Sequence, residues 1–372
     1  MNSDSLHQVL TLSGKAGLRH CSQIRDTQFL PAECFDYFHY THTSPAWLFN
    51  IKNLNNYPPL IYLEDLSGDL IRSRLQLSMS EIMTLRDMTP YHYRFLDTVT
   101  DRTPSKDKYT EALYIPDLAR YSHRLITIGT LFGSSRLRLK DPNNKLLRTE
   151  VRQSMEFSCP QLVDAADSVA LSMSGTYLGA HVRVGDGYFR VNGEANLRQV
   201  WWKLVYEILQ YDISEAINIE RTFKVFPTVE GRAPSLATNA SWQRSALVNF
   251  TSGNLRCRGH RHSLPQLDRL NSPLFISTDV KDPATDPSLS GFLRTFPCTF
   301  FLSDFTIQTQ RLDNLQNGYD GIPIKPFLLP MLDAMVVGRA WRVAGTEGST
   351  FSRFIQDVLW RRNQGLGIIE RG

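Results

Sequence analysis

The sequence predicts an α/β fold with two domains, and three observations lead to this prediction. Short apolar runs that end in Gly or polar residues alternate with amphipathic segments of helical length. Such alternation is typical of βαβ units around a parallel sheet. The length of 372 residues favours two domains, and the 42% apolar content is sufficient for two cores. We place the domain boundary near residue 158, which gives domains 1–158 and 159–372.

In the first domain the pattern is sparse. Residues 60–63 are a candidate strand, and residues 125–129 are a clearer one because they are apolar, β-branched and end in Gly. Asp141 and Pro142 then predict the start of a helix, since Asp favours the N-cap and Pro the first helical position. The apolar residues of this helix recur at helical spacing.

The second domain alternates more regularly. The predicted strands are residues 177–183, 274–278, 299–302 and 343–345. The predicted helices are residues 162–173, 197–208, 326–339 and 349–362. Residues 211–270 lack a strong periodicity and contain clusters of Gly, Pro, Asn and Ser. We therefore predict an insertion with some local structure there.

The charge and cysteine content exclude several classes of protein. A net charge of +4 is small for this length and argues against a dedicated nucleic-acid binder. We interpret the basic run at residues 256–262 as a solvated loop. None of the five cysteines forms a C-x-x-C pair, so neither a zinc ribbon nor a redox motif is indicated. Their number neither requires nor excludes an oxidising compartment.

Targeting signals are also sparse. The N-terminus has no apolar region typical of a signal peptide, and no apolar run approaches the ~18 residues of a membrane helix. We therefore expect a soluble chain with no membrane segment, and any lumenal address on residues outside this sequence. Asn239 and Asn249 lie in N-x-S/T sequons and are candidate glycosylation sites.

The first candidate site is the segment HVRVGD at residues 181–186. It lies where a predicted strand ends, and ligands of open α/β sheets bind outside the carboxyl ends of strands. His181 and Arg183 alternate with apolar residues, so both project from one face. An arginine fork there suits phosphate oxygens, and Asp186 can fix the turn. A structural Arg–Asp ion pair is an equally open interpretation.

The second candidate site is the strand–loop–helix segment that leads into Ser349, Thr350 and Phe351. Free backbone N–H groups and the positive end of the helix dipole converge on such a loop, and two hydroxyls add donors. The segment lacks the Lys of a P-loop, so an ATPase is not indicated. A plain Ser N-cap is the alternative.

Two acidic residues complete the candidates. Asp279 follows a predicted strand, where it either binds a ligand or caps a turn. Asp333 lies in an otherwise apolar helical stretch and needs a partner. A guanine edge, a buried backbone donor and an arginine all remain open for it. No His/Cys/Asp/Glu set has metal-ligand spacing, so we expect no metal or other cofactor.

Together these motifs resemble the GDP-fucose protein O-fucosyltransferase family, in particular a divergent fungal branch. The H-x-R-x-x-D pattern is met by His181, Arg183 and Asp186, and the Ser-Thr-Phe pattern begins at Ser349. The family also has an Asp sixteen residues before that Ser, here Asp333. The likeness runs from about residue 30 to the C-terminus. It is sharpest over residues 125–186 and 274–372.

The resemblance implies a GT-B architecture, in which two Rossmann-like domains face a cleft and the C-terminal one holds the nucleotide. It implies inverting transfer of fucose from GDP-fucose to a hydroxyl acceptor without a metal, in the lumen of the ER or Golgi. Arg183 would be the catalytic cation on the β-phosphate, and Asp333 would bind guanine. The other donor-binding residues would be His181, Asp186, Asp279, Ser349, Thr350 and Phe351.

One departure from the family limits this prediction. Family members carry a Gly/Asn-containing loop early in the N-terminal domain, and the Gly14–Gly17 stretch does not match it. We therefore expect an incomplete N-terminal domain, and no residue maps to a catalytic base. A catalytically inactive relative that binds a nucleotide sugar or a protein partner is the alternative. A third hypothesis is an unrelated α/β binding protein.

Overall fold

The computed structural model describes residues 43–50, 68–88, 92–99, 109–128, 136–173, 176–185, 187–226, 234, 255–318 and 321–369. They form an α/β protein with parallel sheets, as predicted. The chain divides into two compact units. The first comprises Met1–Phe157, Leu315–Ile324 and Glu370–Gly372, and the second comprises Ser158–Asn314 and Lys325–Ile369. The roles predicted for the two halves stay predictions.

The first unit holds two small parallel sheets. One pairs β1 with β4, and the other has the order β3-β2-β5. The strands are β1 Ile82–Leu85, β2 Tyr93–Leu96, β3 Glu111–Tyr114, β4 Leu125–Ile128 and β5 Leu137–Arg138. The helices are α1 Pro45–Leu48, α2 Gly68–Leu75, α3 Ile115–Leu118 and α4 Pro142–Ser154, with a 3-10 turn at Met79–Glu81.

Sequence prediction met with mixed success in this unit. The strand predicted at 125–129 is β4, and α4 begins as expected. Asp141 is its N-cap and accepts hydrogen bonds from the backbone N–H groups of Asn143 and Asn144. The other strands were missed because, unlike β4, none of these short segments is an apolar, β-branched run that ends in Gly. The candidate strand at 60–63 lies outside the described residues.

The second unit is built on one four-stranded parallel sheet with the order β8-β7-β6-β9. Its strands are β6 Leu178–Val182, β7 Leu274–Thr278, β8 Thr299–Phe300 and β9 Arg342–Gly345, which confirms all four predicted strands. By position in the chain the order is third, second, first, fourth. This is the order of the first four strands of a Rossmann fold, whose full order is 3-2-1-4-5-6. Pairing joins His181 to Ser277 on one side and to Gly345 on the other.

Helices cover both faces of this sheet. They are α5 Pro160–Ser172, α6 Gly187–Val191, α7 Gly193–Trp202, α8 Ile213–Thr222, α9 Ser290–Thr295, α10 Thr306–Thr309, α11 Lys325–Gly338, α12 Thr350–Arg353 and α13 Arg361–Asn363. Two π-helical segments, Lys203–Ile208 and Phe354–Trp360, extend α7 and α12. The 3-10 turns are Pro265–Asn271, Pro287–Leu289, Leu302–Asp304 and Gln310–Leu312.

The side chains of β6 alternate between two different environments. Ala180 and Val182 belong to an apolar core with Val200 and Trp201 of α7. Gly179 faces the other way, where an added Cβ would lie only 2.9 Å from Cβ of Ala340, next to α11. His181 shares this second face, since side chains alternate along a strand. The second face therefore carries α11 and α12 together with the polar candidate residues.

A buried ion pair joins α7 to α8. Arg198 donates from Nε to Oε1 of Glu220 at 2.6 Å and from Nη2 to Oε2 at 2.9 Å. The indole Nε1 of Trp202 donates to the same Oε1 at 3.2 Å. The fork-to-fork geometry satisfies a carboxylate that is almost removed from water. This pair stabilises the helical layer on the apolar face of the sheet.

A disulfide joins Cys257 to Cys298, 41 positions apart in the chain, and links the basic loop to the start of β8. In that loop Arg256, Arg258, His260 and Arg261 are exposed. Arg258 also donates to the carbonyl of Thr299 and pairs with Asp304. Over the described part of the chain, no helix has the length and apolar content that a membrane crossing requires.

Candidate functional site

The candidate site lies where the strand order of the second unit's sheet reverses. From β6 the chain proceeds to β7 on one side, and after β8 it returns to β9 on the other side of β6. A crevice forms outside the carboxyl ends of two strands at such a switch point, and ligands of open α/β sheets bind there. Arg183, Asp279 and Thr346 each follow one of the three strands that meet at this point.

Thr346 joins the ends of β6 and β9. Its hydroxyl accepts a hydrogen bond from the backbone N–H of Arg183 at 3.0 Å. The same hydroxyl lies 3.3 Å from the carbonyl of His181, and the Thr346 N–H donates to this carbonyl at 3.1 Å. The Thr346 carbonyl in turn accepts from the N–H of Ser349 at 3.3 Å. Arg183 and Ser349 therefore lie on either side of one buried threonine.

The side chain of Arg183 is held from two directions. Its Nε lies 3.8 Å from Oδ2 of Asp279, and its guanidinium lies over the ring of Phe189, 5.6 Å from the ring centroid. About a third of the side chain is exposed. An arginine restrained in this way loses little rotamer freedom when it binds an anion. Asp186, also predicted to act here, lies outside the described residues.

Asp279 binds groups of the protein itself. Besides its ion pair with Arg183, its two carboxylate oxygens accept from the backbone N–H groups of Val184 and Gly185 at 2.9 and 3.0 Å. A side chain at position 185 would collide with this carboxylate, because an added Cβ would lie 2.8 Å from Oδ2. Asp279 thus shapes the turn after β6 and orients Arg183. This matches the turn-capping alternative for Asp279, and its contact with the donor stays a prediction.

The turn before the last helix combines a cap with an open surface. Gly348 has a φ of +76°, which favours glycine. Ser349 is buried, and its hydroxyl accepts from the N–H of Ser352 as an N-cap. Its own O–H remains a donor. Thr350 is exposed at the start of the helix. At the crevice the turn therefore presents backbone N–H groups and the exposed hydroxyl of Thr350.

His181 is buried under this turn. Its Nδ1 lies 2.6 Å from Oγ of Ser352, and its ring meets the ring of Phe351 edge-on, with centroids 5.1 Å apart. Burial lowers the pKa of His181 to about 4; Asp279 raises it and Arg183 lowers it further. The imidazole is therefore neutral at physiological pH.

Asp333 is half-buried as a residue, yet its Oδ1 is shut off from water and has no hydrogen-bond partner in the described structure. Burial raises the pKa of Asp333 to about 8, and a hydrogen bond with Ser277 opposes this rise. Ser277 in β7 is the strand partner of His181. Asp333 therefore belongs to the same polar face, and it keeps one carboxyl oxygen without a partner.

The structure brings most of the predicted site residues together. Arg183, His181, Ser349 and Phe351 are linked through Thr346 and Ser352, and Asp279 supports Arg183. Sequence reasoning missed Thr346 and Ser352, although both lie inside the segment it had selected. Ser277 was missed as well. The sequence signal that could have identified these three residues is a Ser or Thr at or just after the carboxyl end of a strand, or in the first turn of the helix that follows.

Comparison with known proteins adds no further information. No protein-family model matches the chain, and no curated protein matches it. The described residues also contain no group of three or more His, Cys, Asp or Glu side chains that is able to hold a metal ion. The family resemblance therefore stays a prediction, and the site must be interpreted from its own geometry.

Proposed function

We propose that this chain is a glycosyltransferase that resembles inverting GDP-fucose O-fucosyltransferases and uses GDP-fucose as its donor. The observation that carries the proposal is the Arg183–Thr346 hydrogen bond at the switch point. It joins a guanidinium-bearing strand end to the N–H-rich turn of the last helix, so a diphosphate bound in the crevice is within reach of both. In the proposed GT-B arrangement, the second unit is the nucleotide-binding domain.

In this proposal Arg183 is the catalytic cation. The acceptor hydroxyl oxygen forms a bond to C1 of fucose as the bond from C1 to the β-phosphate oxygen breaks. GDP leaves with the bonding electron pair, and the proton of the acceptor hydroxyl passes to solvent water, because no residue of this chain maps to a catalytic base. A preorganised guanidinium and helix N–H groups stabilise the charge that develops on the leaving phosphate. The residues that would bind the donor besides Arg183 are His181, Ser349, Thr350 and Phe351.

The carboxyl group of Asp333 favours guanine as the nucleobase of the proposed donor. Guanine presents adjacent N–H donors on one edge, and a carboxylate is a complementary acceptor. Because Oδ1 of Asp333 is shut off from water, guanine binding requires neighbouring side chains to move aside. Because its pKa is raised to about 8, Asp333 is protonated in the empty site at pH 7. Binding of guanine to the carboxylate would release that proton.

The disulfide supports the proposed lumenal location in the ER or Golgi. Disulfides such as Cys257–Cys298 form and persist in oxidising compartments. The sequons at Asn239 and Asn249 are compatible with such a compartment, although both lie outside the described residues.

Calorimetry with GDP and GDP-fucose tests the proposal. Wild-type protein should bind both, and Arg183→Ala should weaken binding of both by roughly 10- to 100-fold, as expected for loss of a charge-assisted contact. Arg311→Ala is the matched control, because Arg311 forms an exposed pair with Asp164 in the same unit. The affinity of Arg311→Ala for both nucleotides should equal that of wild type. Equal affinity of Arg183→Ala would refute the role of Arg183.

Proton release and turnover refine the result. At pH 7, GDP binding measured in buffers of different ionisation enthalpy should release about one proton, and Asp333→Asn should abolish this release. Binding without transfer of fucose to any acceptor would favour the inactive relative over the enzyme. No binding of either nucleotide would overturn the donor assignment.

A further inference from the structure

Ser352 connects the two sides of the candidate crevice. It is fully buried at the start of the last helix, and its Oγ lies 2.6 Å from Nδ1 of His181 in β6. Its N–H donates to the hydroxyl of Ser349 at 3.2 Å. Ser352 therefore contacts the strand that leads to Arg183 through its side chain, and the turn before the last helix through its backbone N–H.

The direction of the Ser352–His181 hydrogen bond follows from the available acceptors. Among the described residues, Nδ1 of His181 is the only acceptor within bonding distance of the Ser352 hydroxyl. If Nδ1 carried the proton, the buried O–H of Ser352 would have no acceptor, at a cost of about 1–3 kcal/mol. Ser352 therefore donates and Nδ1 accepts. The remaining imidazole proton is then on Nε2.

An Nε2–H donor has a direct use at this site. In the described structure no protein acceptor bonds to Nε2 of His181, and the residue keeps 4% of its surface exposed. His181 lies beside Phe351 and two positions before Arg183, both part of the proposed donor site. A neutral N–H donor suits a phosphate or sugar oxygen. Because it carries no positive charge, it does not repel the nearby guanidinium of Arg183.

We propose that Ser352 is a positioning residue that holds His181 in its Nε2-protonated form, so that Nε2–H donates to an oxygen of the bound nucleotide sugar. This inference rests on the proposed function for the identity of the ligand. The tautomer and the link between Ser352 and His181 do not depend on it.

The tautomer can be measured without any ligand. Long-range ¹H–¹⁵N spectra of ¹⁵N-histidine-labelled protein at pH 7 should show His181 protonated on Nε2 alone. Ser352→Ala should shift this signal towards a mixture of tautomers. Ser172→Ala is the control, because Ser172 is a half-buried helical serine with two hydrogen bonds elsewhere in the unit. A proton on Nδ1, or an imidazolium, in wild type would overturn the proposal even if Ser352→Ala fails to fold.

Two substitutions at His181 separate positioning from donation. His181→Gln places an amide N–H near the position of Nε2, whereas His181→Asn keeps a partner for Ser352 and loses the Nε2 donor. GDP-fucose should bind His181→Gln roughly three- to tenfold more tightly than His181→Asn, the range expected for one neutral hydrogen bond. The reverse order would overturn the donation. If wild type binds neither GDP nor GDP-fucose, the proposed function fails, and the spectra still decide the tautomer.

Discussion

The backbone N–H of Arg183 donates to the hydroxyl of Thr346 across 163 positions of the chain. This one contact fixes the carboxyl end of β6 against the turn that follows β9. Because the partner is a side chain and not a backbone carbonyl, the contact depends on a single hydroxyl group.

Thr346→Val should lower the free energy of unfolding by about 1–3 kcal/mol, because it removes the acceptor of a backbone N–H and leaves the residue buried. It should also weaken GDP binding. Thr346→Ser keeps the hydroxyl and should retain most of both. Urea denaturation and calorimetry measure the two effects. A loss in the Ser variant as large as that in the Val variant would argue against a dominant role of the hydroxyl, because only Ser retains it.

Asp279→Asn should weaken GDP binding through Arg183. The amide removes the ion pair and replaces one carboxylate acceptor by an NH₂ group that faces the N–H of Val184 or Gly185. In a double-mutant cycle with Arg183→Ala, the two losses should be strongly non-additive. Additive losses would show that Asp279 acts on the ligand independently. Asp286→Asn is the control, because Asp286 caps the 3-10 turn Pro287–Leu289 by accepting from the N–H of Ser288.

Asp333 should make the unliganded protein less stable as pH rises. With its folded pKa raised to about 8, it retains a proton that the unfolded chain loses above its ordinary value of 3.8. Its contribution to stability is therefore full at low pH and declines towards pH 8, by at most about 1.4 kcal/mol per pH unit. Asp333→Asn should remove this slope. Asp167→Asn, in an exposed pair, should leave it unchanged.

His181 should act in the opposite direction. Burial lowers its pKa from 6.5 to about 4, so between these values the unfolded chain binds a proton that the folded chain does not. Stability is therefore lost as pH falls from about 6.5 towards 4. Urea midpoints of His181→Asn should depend less on pH over this range than those of wild type. A variant with the same acid slope as wild type would contradict a buried, neutral His181.

Glu220→Ala should be among the most destabilising single changes in the second unit. It removes both bonds from Arg198 and the bond from Trp202, and the expected loss for breaking a buried pair is about 3–5 kcal/mol. Asp167→Ala breaks an exposed pair with Arg339 and should cost less than about 1 kcal/mol. Thermal unfolding of both variants checks the contrast, and similar melting temperatures would argue against it.

The sequence was most informative where local pattern and tertiary environment agree. The strands β6, β7 and β9 are apolar runs buried on both faces, and such runs are recognisable without a partner. Helix α11 was predicted from its apolar residues in spite of Pro330, and Leu328 and Leu332 are buried in the structure. Short strands with a charged residue, such as β2 with Arg94, carry no comparable pattern.

Other features depend on geometry that no local pattern contains. The last helix widens to π geometry over Phe354–Trp360, and in this helix Asp357 is buried whereas Phe351 and Phe354 are half-buried. Asp279 was correctly selected as a residue of the strand end, yet its partners are two N–H groups from the turn after β6. Such assignments require knowledge of which strands are neighbours.

The Cys257–Cys298 bond closes a covalent ring that contains the whole of β7 and Asp279. By loop entropy a ring of this size is worth about 4 kcal/mol. The opposite wall of the crevice, β9 with Thr346, lies outside the ring and is joined to β6 without a cross-link. Local opening should therefore begin at the β9 wall, and a ligand that spans both walls should slow amide exchange there most.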